Sequence, residues 1–250
     1  SATARGVATR ALPRGAGRHR AGRRGRCLVA VVEPAPPDVL VPAAPVTGMH
    51  GPGDVRFFDR FASVYDRLMP PADADALEAG LRRSRRSVER VLDVGGGTGR
   101  ATRALDVPER VVVDASGGML RRARKRGLDC VRADAGRLPF VDDAVDAVTV
   151  VDALHHLPNP RAAVGEAARV LAPGGVLVIR EFDPSTLRGR ALVASEKLVG
   201  FDSAFATPAE LVRFLERAGF RARIVETGFG YTVAGVVEAA GADEGRSRDD

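Results

Sequence analysis

The residues best placed to do chemistry lie between Asp93 and His156. Asp93-Val94-Gly95-Gly96-Gly97-Thr98-Gly99 follows a short apolar run and sets Gly95, Gly97 and Gly99 at alternate positions. Glycine lets a chain turn with positive φ and lets a ligand approach the backbone without meeting a Cβ. At the start of a helix, free N–H groups then face that ligand. A dinucleotide fingerprint needs G-x-G-x-x-G, and the pattern fails because Arg100 stands where the third glycine belongs. No P-loop Lys-Ser/Thr pair follows either. An acid at Asp93 would repel a pyrophosphate and suits a ligand with a cationic amino group. Asp114 comes 21 residues after Asp93. At about that distance a carboxylate at the next strand end reaches the ribose hydroxyls of a nucleoside lying across the sheet. Asp134-Ala135 closes the third strand, where an acid can accept the adenine amino group, and Asp152 follows the fourth. His155 and His156 are imidazoles close to the same edge, and such a group removes a phenolic or carbon-acid proton near neutral pH. The competing reading has one His packing or capping the loop and the other solvated. Tyr65 is open to two readings, a group that covers the ligand or orients an acceptor, and a buried helix residue.

Alternating elements must position these groups. Phe57, Phe58, Phe61, Val64, Tyr65 and Leu68 recur at three- and four-residue steps, which predicts an amphipathic helix ended by Pro70-Pro71. A second helix is expected over 73–88. Strands are expected at 91–94, 110–113, 130–133, 145–151, 176–180, 221–226 and 231–239. Helices are expected at 98–105, 117–126, 160–171 and 208–218, with Pro173-Gly174-Gly175 closing the third of these. Strand–helix alternation implies parallel pairing, since parallel strands need crossovers. The last two strands have no helix between them. The expected fold is therefore α/β: a Rossmann-like, seven-stranded, mostly parallel sheet with helices on both faces and one antiparallel C-terminal strand. Residues 1–52 read as a disordered basic and Pro-rich segment, 53–240 as one domain and 241–250 as a disordered tail.

Composition narrows the class. Apolar residues make up 45% of the chain and charged residues 28%, which suits a globular domain, and no apolar run reaches the roughly 20 residues of a membrane helix. The net charge of +6 belongs to the start of the chain: residues 1–26 hold eight Arg and no acid, and the rest carries 30 basic and 32 acidic residues. A nucleic-acid enzyme more often carries its positive charge on the folded surface, so nucleic acid is not the expected partner. Cys27 and Cys130 are too far apart and too few for a disulfide framework or a metal cluster, which fits a reducing cytoplasm. No metal is expected, and the oligomeric state is open.

Six segments in order resemble the class I S-adenosylmethionine-dependent methyltransferases, nearest to the type 11 group that includes the ubiquinone/menaquinone-biosynthesis C-methyltransferases. They are Phe58–Asp66, Asp93–Gly99, Asp114–Leu120, Asp134–Phe140, Asp146–Leu157 and Arg169–Gly175. The resemblance implies S-adenosylmethionine as cofactor. It implies that Gly95 and Gly97, beside Gly99, pass close to the methionine portion, and that Asp93 orders the loop and helps hold the amino group. By the same likeness Asp114 binds the ribose, Ala115 and Met119 flank the adenine, Asp134 and Ala135 hold its edge, and Asp152 and His155 lie near the sulfonium. The implied reaction is in-line methyl transfer to a small-molecule acceptor, an aromatic or quinone precursor. Substrate choice is expected from 54–88 and the insert 182–207. A non-catalytic cofactor-binding partner or regulator is the alternative from a different class. An NAD-dependent oxidoreductase and an RNA methyltransferase stand further back.

Overall fold

The computed structural model describes residues 58–60, 71–199, 201 and 203–238. The boundaries expected at 52/53 and 240/241, Tyr65 and most of the opening helix lie outside the described residues. Residues 58–60 form a helical turn. Seven strands follow, β1 (Arg90–Val94), β2 (Glu109–Asp114), β3 (Asp129–Arg132), β4 (Val145–Val151), β5 (Leu171–Phe182), β6 (Phe220–Glu226) and β7 (Gly230–Val237). The helices are α1 (Ala74–Leu81), α2 (Gly117–Lys125), α3 (Pro160–Val170), α4 (Leu187–Val199) and α5 (Pro208–Arg217).

The strands form one sheet in the order β3-β2-β1-β4-β5-β7-β6. β1 to β5 pair in parallel, and β7 runs antiparallel to both β5 and β6. This is the expected sheet, with the antiparallel strand inserted between its two neighbours. β4 is buried along its whole length, as a parallel strand covered on both faces must be. One apolar cluster centres on Leu92, Val148, Leu177, Leu211 and Tyr231, and a second on Leu77, Val91, Ala147, Val176 and Val178. Neighbouring strand residues thus feed opposite faces, and burying both faces locks the register. The strand order reverses between β1 and β4, so the carboxyl ends of those strands border a crevice.

Side chains fix the helix starts. Asp73, Ser116 and Asn159 each accept a backbone N–H of their helix, and Thr207 with Glu210 forms a reciprocal capping box. Three expectations are corrected. The helix foreseen over 73–88 ends at Leu81, because the chain turns to let the Arg85 N–H donate to the Gly174 carbonyl at 2.8 Å. The segment 98–105 is a series of turns and one 3₁₀ turn, Thr102–Ala104. There the Asp93 side chain takes the Thr102 N–H, and Gly99 sits at φ +76°. Pro173-Gly174-Gly175 does not close α3. It lies inside β5, where the pairing steps from Val145↔Leu171 to Ala147↔Val176, a bulge. A Cβ at Gly175 would stand 2.8 Å from the carbonyl oxygens of Ala172 and Asp146. α4 was not foreseen.

Candidate functional site

The crevice at the reversal of strand order is a cleft enclosing about 960 Å³, part of it open to solvent. Its floor is the turn after β1. Gly95 and Gly97 adopt φ +70° and +57°, in the left-handed region that glycine tolerates. The Gly95 N–H donates to the Val113 carbonyl at 2.8 Å, and the Gly97 N–H donates to Asp114 Oδ2 at 2.9 Å. The turn is therefore tied to the end of β2 before any ligand is considered.

Asp93 lies beneath the turn. It is fully buried and outside the cleft lining. Its Oδ2 accepts the Thr102 N–H (3.1 Å) and hydroxyl (2.5 Å), and Oδ1 accepts the Thr149 hydroxyl (2.9 Å). Burial pushes its carboxyl above the ordinary range against those three bonds and the Arg100 charge. The acid orders the loop from below and does not reach the ligand space. Gly99 also lies outside the lining, and its bare Cα faces Leu128 and Val112. Gly95, Gly97, Asp114, Ala115, Met119, Asp134, Ala135 and Asp152 all line the cleft.

Asp114 faces the cleft while Oδ1 accepts the Ser116 N–H at 2.7 Å. Burial raises its carboxyl above the usual range, the Ser116 and Gly97 N–H groups oppose this, and the nearby Asp59 charge adds to it. Asp59 itself accepts the Ser116 hydroxyl (2.5 Å) and the Gly118 N–H (2.6 Å) at the start of α2. Those bonds hold its carboxyl below the ordinary range. Asp134 is exposed and accepts the Gly136 N–H at 2.8 Å.

At the other end, Asp152 follows β4 at φ +51°, an unusual conformation for a residue with a Cβ and one that clusters at working sites. Arg100 meets it at 2.5 Å across the cleft, and both side chains are largely buried. Burial raises the Asp152 carboxyl, and the Arg100 charge and hydrogen bond oppose that. The residue that breaks the dinucleotide pattern thus ties the glycine turn to β4.

The two histidines part company. His156 lines the cleft, with Phe58 at 5.1 Å and Phe201 at 5.2 Å between ring centroids, both edge-on. His155 points behind it, buried, stacked on Phe205 at 4.3 Å and bonded through Nδ1 to Glu181 Oε2 at 2.5 Å. Glu181 also accepts the Leu154 N–H at 2.8 Å, which fixes the turn after β4. Burial pulls the His155 pKa down, but Glu181, Glu196 and Asp152 outweigh it and hold the imidazole above its usual range. Sequence reasoning missed Arg100, Glu181 and Glu196. Arg100 had a signal, its place directly after the glycines; Glu181, 26 residues from His155, had none without the β4–β5 register.

The lining offers backbone N–H groups, acids at both ends and apolar Ala115, Met119 and Ala133 between them. A bare Cα is required at Gly95, where a Cβ would lie 2.8 Å from that of Ala153. That donor set fits a nucleoside with an amino-acid arm. Gly95→Ala is expected to weaken such binding about tenfold or more, through strain at positive φ and the Ala153 overlap, as a cofactor titration by calorimetry will read.

Residues 92–179 match the family described as methyltransferase domain. That segment resembles the class I S-adenosylmethionine-dependent methyltransferases, and that cofactor belongs to the class. Within the class the chain resembles the quinone-biosynthesis enzymes. A demethylmenaquinone methyltransferase of Renibacterium salmoninarum is 37% identical over 160 residues, 56% of this chain and 66% of that protein. That of Clavibacter sepedonicus is 40% identical over 144 residues, 52% of this chain and 59% of that protein. The chain thus spans 59–66% of the length of these two relatives. A crystal structure of a Thermotoga maritima S-adenosylmethionine-dependent methyltransferase, described as a possible histamine N-methyltransferase, superposes with a TM-score of 0.63. It is 24% identical, with 73% of this chain and 99% of that one covered, and shows the shared fold.

Proposed function

We propose that this chain transfers a methyl group from S-adenosylmethionine to a small aromatic acceptor, a hydroxylated naphthoquinone precursor of the kind its relatives' names point to. The observation that carries the reading is the convergence of the glycine turn, Asp114, Asp152 and the His156 aromatic group on one cleft. When bound, the cofactor supplies a methyl group already activated on a cationic sulfur, so the protein's task is orientation and shielding. Asp114 accepts the ribose hydroxyls, Met119 and Ala115 flank the base, and Asp134 with Ala135 holds its edge. Arg100 and Asp152 offer opposite charges to the carboxylate and ammonium of the amino-acid arm. Phe58, backed by Phe201 stacked on it at 6.1 Å, offers an aromatic wall to a planar acceptor, and His156 is the imidazole beside it that takes up a proton. His155, locked by Glu181, positions the turn and reaches no acceptor.

Among the described residues no helix is long and apolar enough to cross a membrane. We place the protein in the cytoplasm, as the buried free thiol of Cys130 also suits.

Incubating the protein with cofactor and reduced demethylnaphthoquinones tests the reading by mass spectrometry. A product heavier by about 14 mass units, one methylene, is expected. Tight cofactor binding with no methylated product from these or other phenols would instead make the chain a binding subunit.

A further inference from the structure

His155, His156 and Glu196 bring three metal-ligating atoms within 4.8 Å of one another. They come from two elements, the turn after β4 and α4. Glu181 holds His155 Nδ1, which leaves Nε2 directed at Glu196, whose Oε1 is 3.8 Å away. That gap is too long for a hydrogen bond. It is close to the separation of two ligands on one four-coordinate ion, since bonds of about 2.0–2.2 Å set them roughly 3.3–3.6 Å apart. A carboxylate on the far nitrogen of an imidazole is also how proteins orient a histidine that binds metal.

A second observation points the same way. Glu196 Oε2 is buried and has no hydrogen-bond partner among the described residues. Glu196's ion-pair partner there is His155, at that same 3.8 Å. A carboxylate oxygen left buried and unpartnered is costly, and a cation between it and the two rings removes the cost. His156 is the member of the group that lines the cleft.

We propose that His155, His156 and Glu196 bind one divalent transition-metal ion, with Glu181 orienting His155 from behind. Two imidazoles and one carboxylate select zinc and its neighbours over magnesium or calcium. This departs from the sequence reading, which expected no metal. Through His156 the ion borders the acceptor space, where a Lewis acid stabilises an oxygen anion on the acceptor. In the ion-bound protein that task replaces proton uptake by His156. This last role rests on the methyl-transfer reading; the ion site does not.

The test uses the full chain after chelator treatment and dialysis, with Co²⁺ as the spectroscopic probe and Zn²⁺ as competitor. One cobalt per chain with the intense visible bands of low coordination, displaced by Zn²⁺, is expected. Glu196→Gln and His156→Ala should each weaken cobalt binding by about 100-fold, and Glu181→Gln by about tenfold, as loss of a ligand or its orienting partner does. Substoichiometric cobalt without those bands overturns the site, and so does unchanged affinity in both ligand variants. S-adenosylmethionine titration of Glu196→Gln checks its fold. The wild-type cobalt result decides the question even if one variant does not fold. Failure of methyl transfer with cobalt bound would count against the proposed reaction and leave the ion site standing.

Discussion

Asp114→Ala lowers affinity for S-adenosylmethionine by at least about 100-fold. A hydrogen bond to a charged acceptor contributes about 1.5–3 kcal/mol, and on the proposed reading the carboxylate accepts two ribose hydroxyls, so losing both exceeds the roughly 2.7 kcal/mol that 100-fold requires. The variant also strands the Gly97 and Ser116 N–H groups that Asp114 now satisfies. Asp114→Asn separates the two effects. The amide keeps the shape and one acceptor, so a loss of about tenfold is expected there. Calorimetric titration of both variants, with circular dichroism to confirm folding, reads the result. Wild-type affinity in the alanine variant would remove the basis for the cleft assignment.

The second large effect falls on the acceptor side. Gly189→Ala lowers methyl-transfer kcat/KM by about tenfold or more while cofactor affinity stays within about twofold. A Cβ at Gly189 would overlap the Asp183 carbonyl oxygen, well inside van der Waals contact. Backbone cannot yield as a flexible side-chain tip can, so the start of α4 must shift. α4 carries Glu196 against His155, and the segment after it brings Phe201 and Phe205 onto the two histidines. The glycine turn and Asp114 belong to the far side of the cleft and keep their contacts. Steady-state kinetics with varied acceptor, beside a cofactor titration, checks the split. Equal loss on both sides would mean that the clash spreads through the whole domain.

The sheet was legible because its signals are local. The apolar run 145–151 became β4 with both ends as expected, and the acids at the ends of β1 and β2 reached one edge because parallel pairing aligns strand ends. α4 escaped because its apolar residues form no clear stripe; Leu187 and Leu198 are exposed. The helix expected after the glycines failed for a tertiary reason, since Asp93 claims the Thr102 N–H that a helix would use. The same capture moved Asp93 itself out of the ligand space. The division of labour between His155 and His156 depends on Glu181, on the neighbouring strand and 26 residues away. Adjacent in sequence, the two rings look interchangeable; only the β4–β5 pairing shows which one faces inward.

The three bonds to Asp93 also bear on the energetics of capture. They stitch β1 to β4 and to the segment beyond the turn, so the receptor is preorganised and little chain entropy is lost when a guest docks. The free energy of docking then goes into holding the guest. On the proposed reading, a mould set in advance grips spent and fresh nucleoside alike, so departure of the demethylated by-product is expected to act as a brake on turnover.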